Sequence, residues 1–226
     1  MRQFTADAAH EFRTPLTVIR SSAELALHCP REETYYRECL LGIAEETNRL
    51  TSLSNQLLTL AREDAGLSGA PSEIISLGSV LEQVVADLEP LAEDRALTIK
   101  PPGPVLDLQV WGEPSGLRRV FLNLIDNAIK FTPTGGHVAI SIAATSHHAV
   151  VTVTDDGPGI SETHLPRLFE RFYRVDPSRS RASGGAGLGL AISRAIVLRH
   201  GGTIRVSNCP EGGTEAEVRL PIAGRA

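Results

Sequence analysis

Leucine and isoleucine recur at seven-residue spacing between residues 43 and 60, and no other feature of this chain narrows its possible folds as much. Ile43, Leu50 and Leu57 occupy one position of the repeat and Leu53 and Leu60 the other, with a break in the seam at Glu46. A period of that kind belongs to a helix that packs lengthwise on another helix. The pattern runs from the polar stretch His28-Cys29-Pro30-Arg31 to about Glu63. Upstream of that stretch, residues 4–27 carry a second helical stripe. Counted at about 100° per residue, Phe12, Leu16, Ile19, Ala23 and Ala26 fall within about 40° of one line, and Ala8 extends it. Two helices with a short connection form an antiparallel hairpin. Such a hairpin leaves apolar surface uncovered, so two copies are expected to pair into a four-helix bundle. Packing on the rest of the same chain is the alternative.

His10 and Thr14 each lie about 160° from Phe12, one turn apart on the face away from the stripe. A solvent-facing imidazole beside Glu11 is an available nucleophile, although a lone exposed histidine is more often inert. Pro15 removes one backbone bond and crowds the carbonyl of Glu11, which bends a helix. Alternatively Thr14 caps a helix that starts at Pro15, leaving His10 in a loop. The stripe continues on both sides of Pro15, which favours a kinked, continuous helix.

Residues 65–72, Ala-Gly-Leu-Ser-Gly-Ala-Pro-Ser, read as a linker, and the pattern then becomes mixed. A short strand at Ile74-Ile75 precedes a helix over 77–94, strands over 97–100 and 105–110, and a helix over 113–131. Alternating runs at 138–144 and 149–154 form a hairpin through Thr145-Ser146-His147-His148. A long loop leads to a helix over 188–200, stopped by Gly201-Gly202. A second hairpin, 203–207 with 215–220, closes the chain. The class is α+β: a helical hairpin (1–66), a linker (67–73) and an α/β sandwich with a mixed sheet (74–226).

Composition removes some functions. A net charge of −5 gives no reason to expect nucleic acid or an anionic membrane as partner, and 4% aromatic residues are too few for base-stacking platforms. Cys29, Cys39 and Cys209 have neither disulfide-framework nor zinc-site spacing, so a reducing, cytoplasmic setting fits best. No run approaches the ~18 apolar residues of a membrane span. The first helix opens abruptly at Met1-Arg2-Gln3-Phe4, which suggests that it continues an upstream element.

Three clusters in the second unit point to a nucleotide. Asn123, Asn127 and Lys130 share one helical face, and paired amide oxygens with an ammonium suit a Mg²⁺–polyphosphate; a merely solvated polar face is the competing reading. Asp155-Asp156-Gly157-Pro158-Gly159 follows a strand: a carboxylate that could accept from an exocyclic amine such as that of adenine, with glycines that let backbone approach a ligand, or a plain turn. Ser183-Gly184-Gly185-Ala186-Gly187-Leu188-Gly189-Leu190 enters a helix, where free N–H groups favour an anion. Its spacing fits neither a P-loop nor a Rossmann site. Between the last two clusters lie Arg167, Arg171, Arg174, Arg179 and Arg181, a cationic lid or a solvated charge run.

Taken together, these residues resemble the catalytic core of a bacterial two-component sensor histidine kinase. His10-Glu11-x-Arg13-Thr14-Pro15-Leu16 resembles the family's H box, Asn123-x-x-x-Asn127-Ala128-x-Lys130-Phe131 its N box, and Asp155-x-Gly157-x-Gly159 its G1 box. Leu168-Phe169-Glu170-Arg171-Phe172-Tyr173-Arg174 resembles the F box and Gly185-x-Gly187-Leu188-Gly189-Leu190 the G2 box. The five stand in the family's order and span nearly the whole chain.

The resemblance implies a homodimer whose hairpin carries the phosphoacceptor, joined to a gyrase-like ATP-binding domain using ATP and Mg²⁺. His10 would be phosphorylated, with Glu11 orienting or deprotonating it, and the phosphoryl group would pass to an aspartate of a response-regulator receiver domain. Thr14 would position water when the regulator is dephosphorylated. Asn127, with Asn123, would hold Mg²⁺; Lys130 and Arg174 would contact phosphates; Asp155 would read the adenine amine and Phe131 would stack on the base. Gly157, Gly159, Gly185, Gly187, Leu188 and Gly189 would line the nucleotide. Asp156 stands where the family often has Asn, and Phe131 where it often has Tyr. The resemblance also implies the cytoplasmic portion of a membrane-anchored sensor, with the membrane reached only through an upstream segment. Two alternatives are a docking module acting mainly as a regulator phosphatase, and a conformational ATPase of the gyrase type. The latter leaves His10 and the hairpin unexplained.

Overall fold

The computed structural model describes residues 2–28, 32–67, 69, 73–103, 108–176 and 185–224. Cys29-Pro30-Arg31, most of the expected linker, residues 105–107 of an expected strand, Arg179, Arg181 and the start of the glycine-rich run lie outside the described residues.

Helix α1 (Arg2–His28) runs unbroken through Pro15, so Thr14 is not a cap and His10 is helical. Helix α2 (Glu33–Asp64) returns alongside it. Leu53 and Leu60 are buried and Ile43, Leu50 and Leu57 half-buried, as a packed seam requires. At the seam's break, Glu46 brings a buried carboxylate oxygen with no hydrogen-bond partner among the described residues. Leu16, Leu25, Leu27, Leu40 and Leu41 stay exposed, so one hairpin does not cover its own apolar surface.

In the second unit β1 (Glu73–Ser76) leads into α3 (Leu77–Asp94), and Ser76 Oγ accepts from Ser79 N–H at 3.3 Å as the helix cap. Then follow β2 (Thr98–Lys100), β3 (Gln109–Gly112), α4 (Pro114–Phe131), β4 (His137–Ala144), β5 (His148–Asp155), α5 (Gly189–Arg199), β6 (Thr203–Asn208) and β7 (Thr214–Pro221). The main sheet has the order β2-β4-β5-β7-β6, with β2 parallel to β4 and the other pairs antiparallel. It is a mixed sheet, as expected. A separate antiparallel pair, β1 with β3, is an arrangement the local pattern does not predict; the expected strand at 105–110 is seen only from Gln109 and extends to Gly112.

Helices α3, α4 and α5 pack on the sheet. The core is built by Phe121, Ile125 and Ile129 of α4, Ile192 and Ile196 of α5 and the inward residues of β4, β5 and β7. Along β5 the inward positions are Ala149, Val151, Val153 and Asp155. Strand alternation thus drives a carboxylate into the layer that its predecessors fill with methyl groups.

Candidate nucleotide and phosphoacceptor sites

Asp155, 6% exposed, is held by three donors from two segments. Its Oδ1 accepts from Gly157 N–H at 2.8 Å and Thr214 N–H at 3.3 Å, and its Oδ2 accepts from the Thr214 hydroxyl. Thr214 opens β7 directly opposite Asp155 in the sheet register, so the pairing of β5 with β7 brings them together. A carboxylate offers about four lone-pair positions, so one remains for an amine donor. Side chains are excluded around it. A Cβ on Gly157 would stand 2.5 Å from Asp155 Oδ1, and one on Gly213 only 1.8 Å from Asp155 O. Gly159 adopts φ +73°, and Asn208 fixes the turn by accepting from Ile160 N–H and donating to Ile160 O, both at 2.7 Å.

Asn123 and Asn127 do share a face of α4. The Asn123 amide donates to Gly189 O at 3.1 Å and Ser193 Oγ at 3.3 Å, so its nitrogen clamps α5 and its oxygen is the atom left for a ligand. Asn127 is half-buried one turn on. Helix α5 begins at Gly189 with no side-chain cap, which leaves its first N–H groups for an anion. Buried Leu188 anchors that end in the core.

Lys130 pairs with Asp126 on its own helix, a partner within reach in place of a phosphate. Phe131 is 57% exposed at the end of α4, its backbone oxygen beside Gly157. Arg174 is half-buried at the end of the F-box segment. Asp156, the departure from the family pattern, accepts from His137 N–H at 2.8 Å and meets His137 Nδ1 at 3.0 Å. Those bonds hold its carboxyl below the usual range and tie it to the start of β4.

The arginine-rich segment is not simply solvated where it is described. Arg167 chelates Glu170 at 3.1 and 3.0 Å and stacks on Tyr173, 4.2 Å from the ring centre, while Arg171 bonds Asp64 of α2. Phe172 N–H donates to Gly187 O at 2.9 Å, which ties the F-box segment to the glycine loop. Opposite this segment stands α1. His10 and Thr14 are exposed and Glu11 half-buried. His10 lines a cavity of about 250 Å³ whose facing wall is Arg167 and Glu170–Tyr173.

The structure therefore sets Asp155, Gly157 and Gly159 after β5 beside the end of α4, Asn123 against Gly189 farther up that helix, and His10 and Glu11 against the F-box segment. Sequence reasoning missed Thr214, Gly213 and Asn208. Their signal was weak, a turn beginning at Asn208 and ending in Gly213 opposite the Asp155 loop, and only the strand register turns it into a contact. Among the described residues no group of three or more His, Cys, Asp or Glu side chains could hold a metal, and no helix is long and apolar enough to cross a membrane.

Known proteins carry the same two parts in the same order. Residues 1–66 match the His Kinase A (phospho-acceptor) domain, and residues 112–224 the histidine kinase-, DNA gyrase B- and HSP90-like ATPase family. The chain is 39% identical over 218 residues to the sensor histidine kinase CusS of Escherichia coli O6:H1, covering 96% of this chain and 45% of CusS. It is 35% identical over 232 residues to the signal transduction histidine-protein kinase/phosphatase MprB of Mycolicibacterium smegmatis, covering 99% of this chain and 46% of MprB. The chain thus spans about half the length of the curated relatives it matches. The histidine kinase ThkA, solved in complex with the response regulator protein TrrA, superposes with a TM-score of 0.72 at 25% identity, over 97% of this chain and 61% of that one. With a phospho-acceptor hairpin followed by an ATPase sandwich, each matched by its own family, the chain belongs to the two-component histidine kinases as their catalytic core.

Proposed function

We propose that this chain binds ATP with Mg²⁺, phosphorylates itself on His10 and passes the phosphoryl group to an aspartate of a response-regulator receiver domain. The observation that carries the reading is His10, exposed on α1 at the wall of a cavity that the F-box segment closes from the nucleotide side. The hairpin (1–66) presents the acceptor, the unit from 74 to 226 holds the nucleotide, and residues 67–73 join them. Asp155 accepts from the adenine amine and Phe131 covers the base. The uncapped start of α5, Lys130 and Arg174 receive phosphates, lined by Gly185, Gly187, Leu188 and Gly189. Asn127, helped by the Asn123 oxygen, supplies a small oxygen set that suits Mg²⁺, an ion that takes most of its ligands from phosphates and water. The chemistry that Mg²⁺ supplies when bound is neutralisation of phosphate charge.

Phosphoryl transfer asks the protein for position and charge rather than covalent chemistry. A ring nitrogen of His10 forms a bond to the γ-phosphorus, the bond to the bridging β-phosphate oxygen breaks, and ADP leaves. Glu11 takes the proton released from the other ring nitrogen. In the onward step the N–P bond breaks as an aspartate oxygen of the receiver bonds the phosphorus. Thr14, exposed one turn from His10, orients water for the reverse duty of clearing the regulator, in line with the kinase/phosphatase description of MprB. Exposed leucines on both helices support a homodimer through the hairpin, and the likeness to sensor kinases supports a membrane-anchored whole protein with this core in the cytoplasm.

The test is incubation with γ-labelled ATP and Mg²⁺, for the chain and for His10→Gln. Label that is lost in acid, kept in alkali and absent from His10→Gln is the expected result. Label that persists in the variant places the acceptor elsewhere, and ATP binding without label favours a phosphatase or docking role.

A further inference from the structure

Four residues from distant parts of the chain meet at the mouth of the cavity beside His10. The ring of Phe4, in the first turn of α1, lies 5.7 Å from that of Phe172, tilted by 44°. Arg171 spans the same junction: its guanidinium sits 5.2 Å over the Phe4 ring and bonds Asp64 Oδ1, at the end of α2, at 2.6 Å. One residue of the F-box segment therefore grips both helices of its own hairpin. Deeper in, Arg199 of α5 bonds Glu63 Oε2 of α2 at 2.9 Å, with the Glu63 side chain only 6% exposed. The same arginine reaches Glu113 at 2.7 Å and Gly69 O at 2.9 Å.

Phe172 carries this junction to the nucleotide loop. It sits at φ +62°, a conformation an aromatic residue keeps only where its surroundings hold it. What holds it is Gly187: a Cβ there would stand 2.8 Å from Phe172 C and 3.0 Å from its Cα. An unbroken chain of contacts thus runs from α1 through Phe4, Phe172 and Gly187 to the start of α5, all within one polypeptide. The cavity has this chain's own Asp7, His10 and Glu11 as one wall and its own Arg167 and Glu170–Tyr173 as the other. A partner's histidine could take that place only after the Arg171 and Arg199 contacts had opened and the ATP-binding unit had swung away from its own α1.

We infer that autophosphorylation is intramolecular, ATP held by one chain serving His10 of that same chain, with Arg171 as the positioning residue that seats the F-box segment on its own hairpin. The inference rests on the proposed kinase function and adds which acceptor the nucleotide serves. It is tested with mixed pairs of full chains, one copy tagged. Tagged His10→Gln with untagged wild type must yield label on the co-purified wild-type chain, which shows that the pair exchanges and works. Tagged His10→Gln with untagged Asn127→Ala separates donor from acceptor, and label at background is the expected result. Label on the Asn127→Ala chain equal to that on wild type in the first pair overturns the inference. An unlabelled wild-type chain would instead overturn the kinase reading beneath it.

The role of Arg171 has its own readout. Arg171→Ala is expected to slow phosphorylation at saturating ATP by about tenfold, the scale of a small misplacement of reacting groups, with KM for ATP within about twofold. Arg171→Lys, which keeps a cation for Asp64, restores most of the rate. An unchanged or faster rate in Arg171→Ala, or a loss that appears only in KM, overturns the positioning role.

Discussion

Thr214→Val tests the nucleotide site at the buried Asp155 carboxylate. The substitution keeps the side-chain shape and the Thr214 backbone N–H, and removes only the hydroxyl that donates to Asp155 Oδ2. Both backbone donors fall on Oδ1, so Oδ2 is left with no bond among the described residues and the carboxylate is free to pivot. A hydrogen bond to a charged group in such a place contributes about 1.5–3 kcal/mol. Two backbone donors still hold the carboxylate, so the lower end applies, and at about 1.4 kcal/mol per factor of ten the loss is roughly tenfold in nucleotide affinity. Calorimetric titration with ADP and Mg²⁺ measures it without turnover. A thermal melt of the free protein separates binding from folding, since about 1 kcal/mol moves the midpoint of a chain this long by only ~2–4 °C. Asp155→Asn sets the upper bound, because it can turn an amine donor toward the adenine amine. An ADP affinity within twofold of wild type in Thr214→Val would refute the reasoning.

Three other outcomes follow from the geometry. His200 is buried, accepts from Glu113 N–H at its Nε2 (3.0 Å) and meets Ile196 O through Nδ1 at 2.7 Å, and burial lowers its pKa from 6.5. The unfolded chain then binds the proton more readily, so urea stability should be flat above about pH 7 and fall as pH drops below about 6.5, and that limb should vanish in His200→Gln. Phe131→Ala, at an exposed position, should leave urea stability within about 0.5 kcal/mol but weaken ADP binding by the ~1–3 kcal/mol of a base stack; unchanged affinity removes it from the site. Replacing exposed Leu16 and Leu40 together by Glu should halve the mass seen in sedimentation and leave ADP affinity unchanged, whereas a persisting dimer places the interface elsewhere.

The parts of this molecule that could be read in advance are those in which a local pattern and its physical consequence coincide. Leu77–Asp94 is a helix with the expected bounds because Ser76 is both the end of a strand and the cap. Asp155 stood out because a carboxylate followed by glycines ended an alternating strand, and the fold places it inward on that alternation. What could not be read depends on partners far along the chain. The pairing of β1 with β3 joins residues on either side of α3, and Thr214 meets Asp155 only through the β5–β7 register. The Asn123 face was visible, but that its nitrogen would clamp Gly189 and Ser193 was not, because helical periodicity says which way a side chain points and not what it meets. The arginines of the F-box segment read as a solvated charge run or a lid. Their partners include Asp64, which no spacing within the segment announces.

The two ends of the nucleotide site are held by interactions of different strength, and this difference has a functional meaning. The end proposed to take the base rests on Asp155, Thr214 and Gly213, where sheet register, burial and a backbone approach that forbids any side chain leave no second arrangement. Moving it would break paired strands. The phosphate end is joined to the hairpin through Arg171–Asp64 and braced by Arg167–Glu170, with side chains 37–55% exposed. Ion pairs at such exposure contribute only about 0–1 kcal/mol each. Binding the base therefore need not vary between states, while the segment that faces His10 can shift on its own hairpin for little free energy, the buried Arg199–Glu63 pair keeping the ATP-binding unit on that hairpin. The first turn of α1 touches that seating through Phe4, which meets Phe172 and, through it, Gly187. Control of the proposed phosphoryl transfer requires a positioning contact that is weak enough to be moved, and the exposed Arg171–Asp64 pair supplies one beside a base pocket that stays fixed.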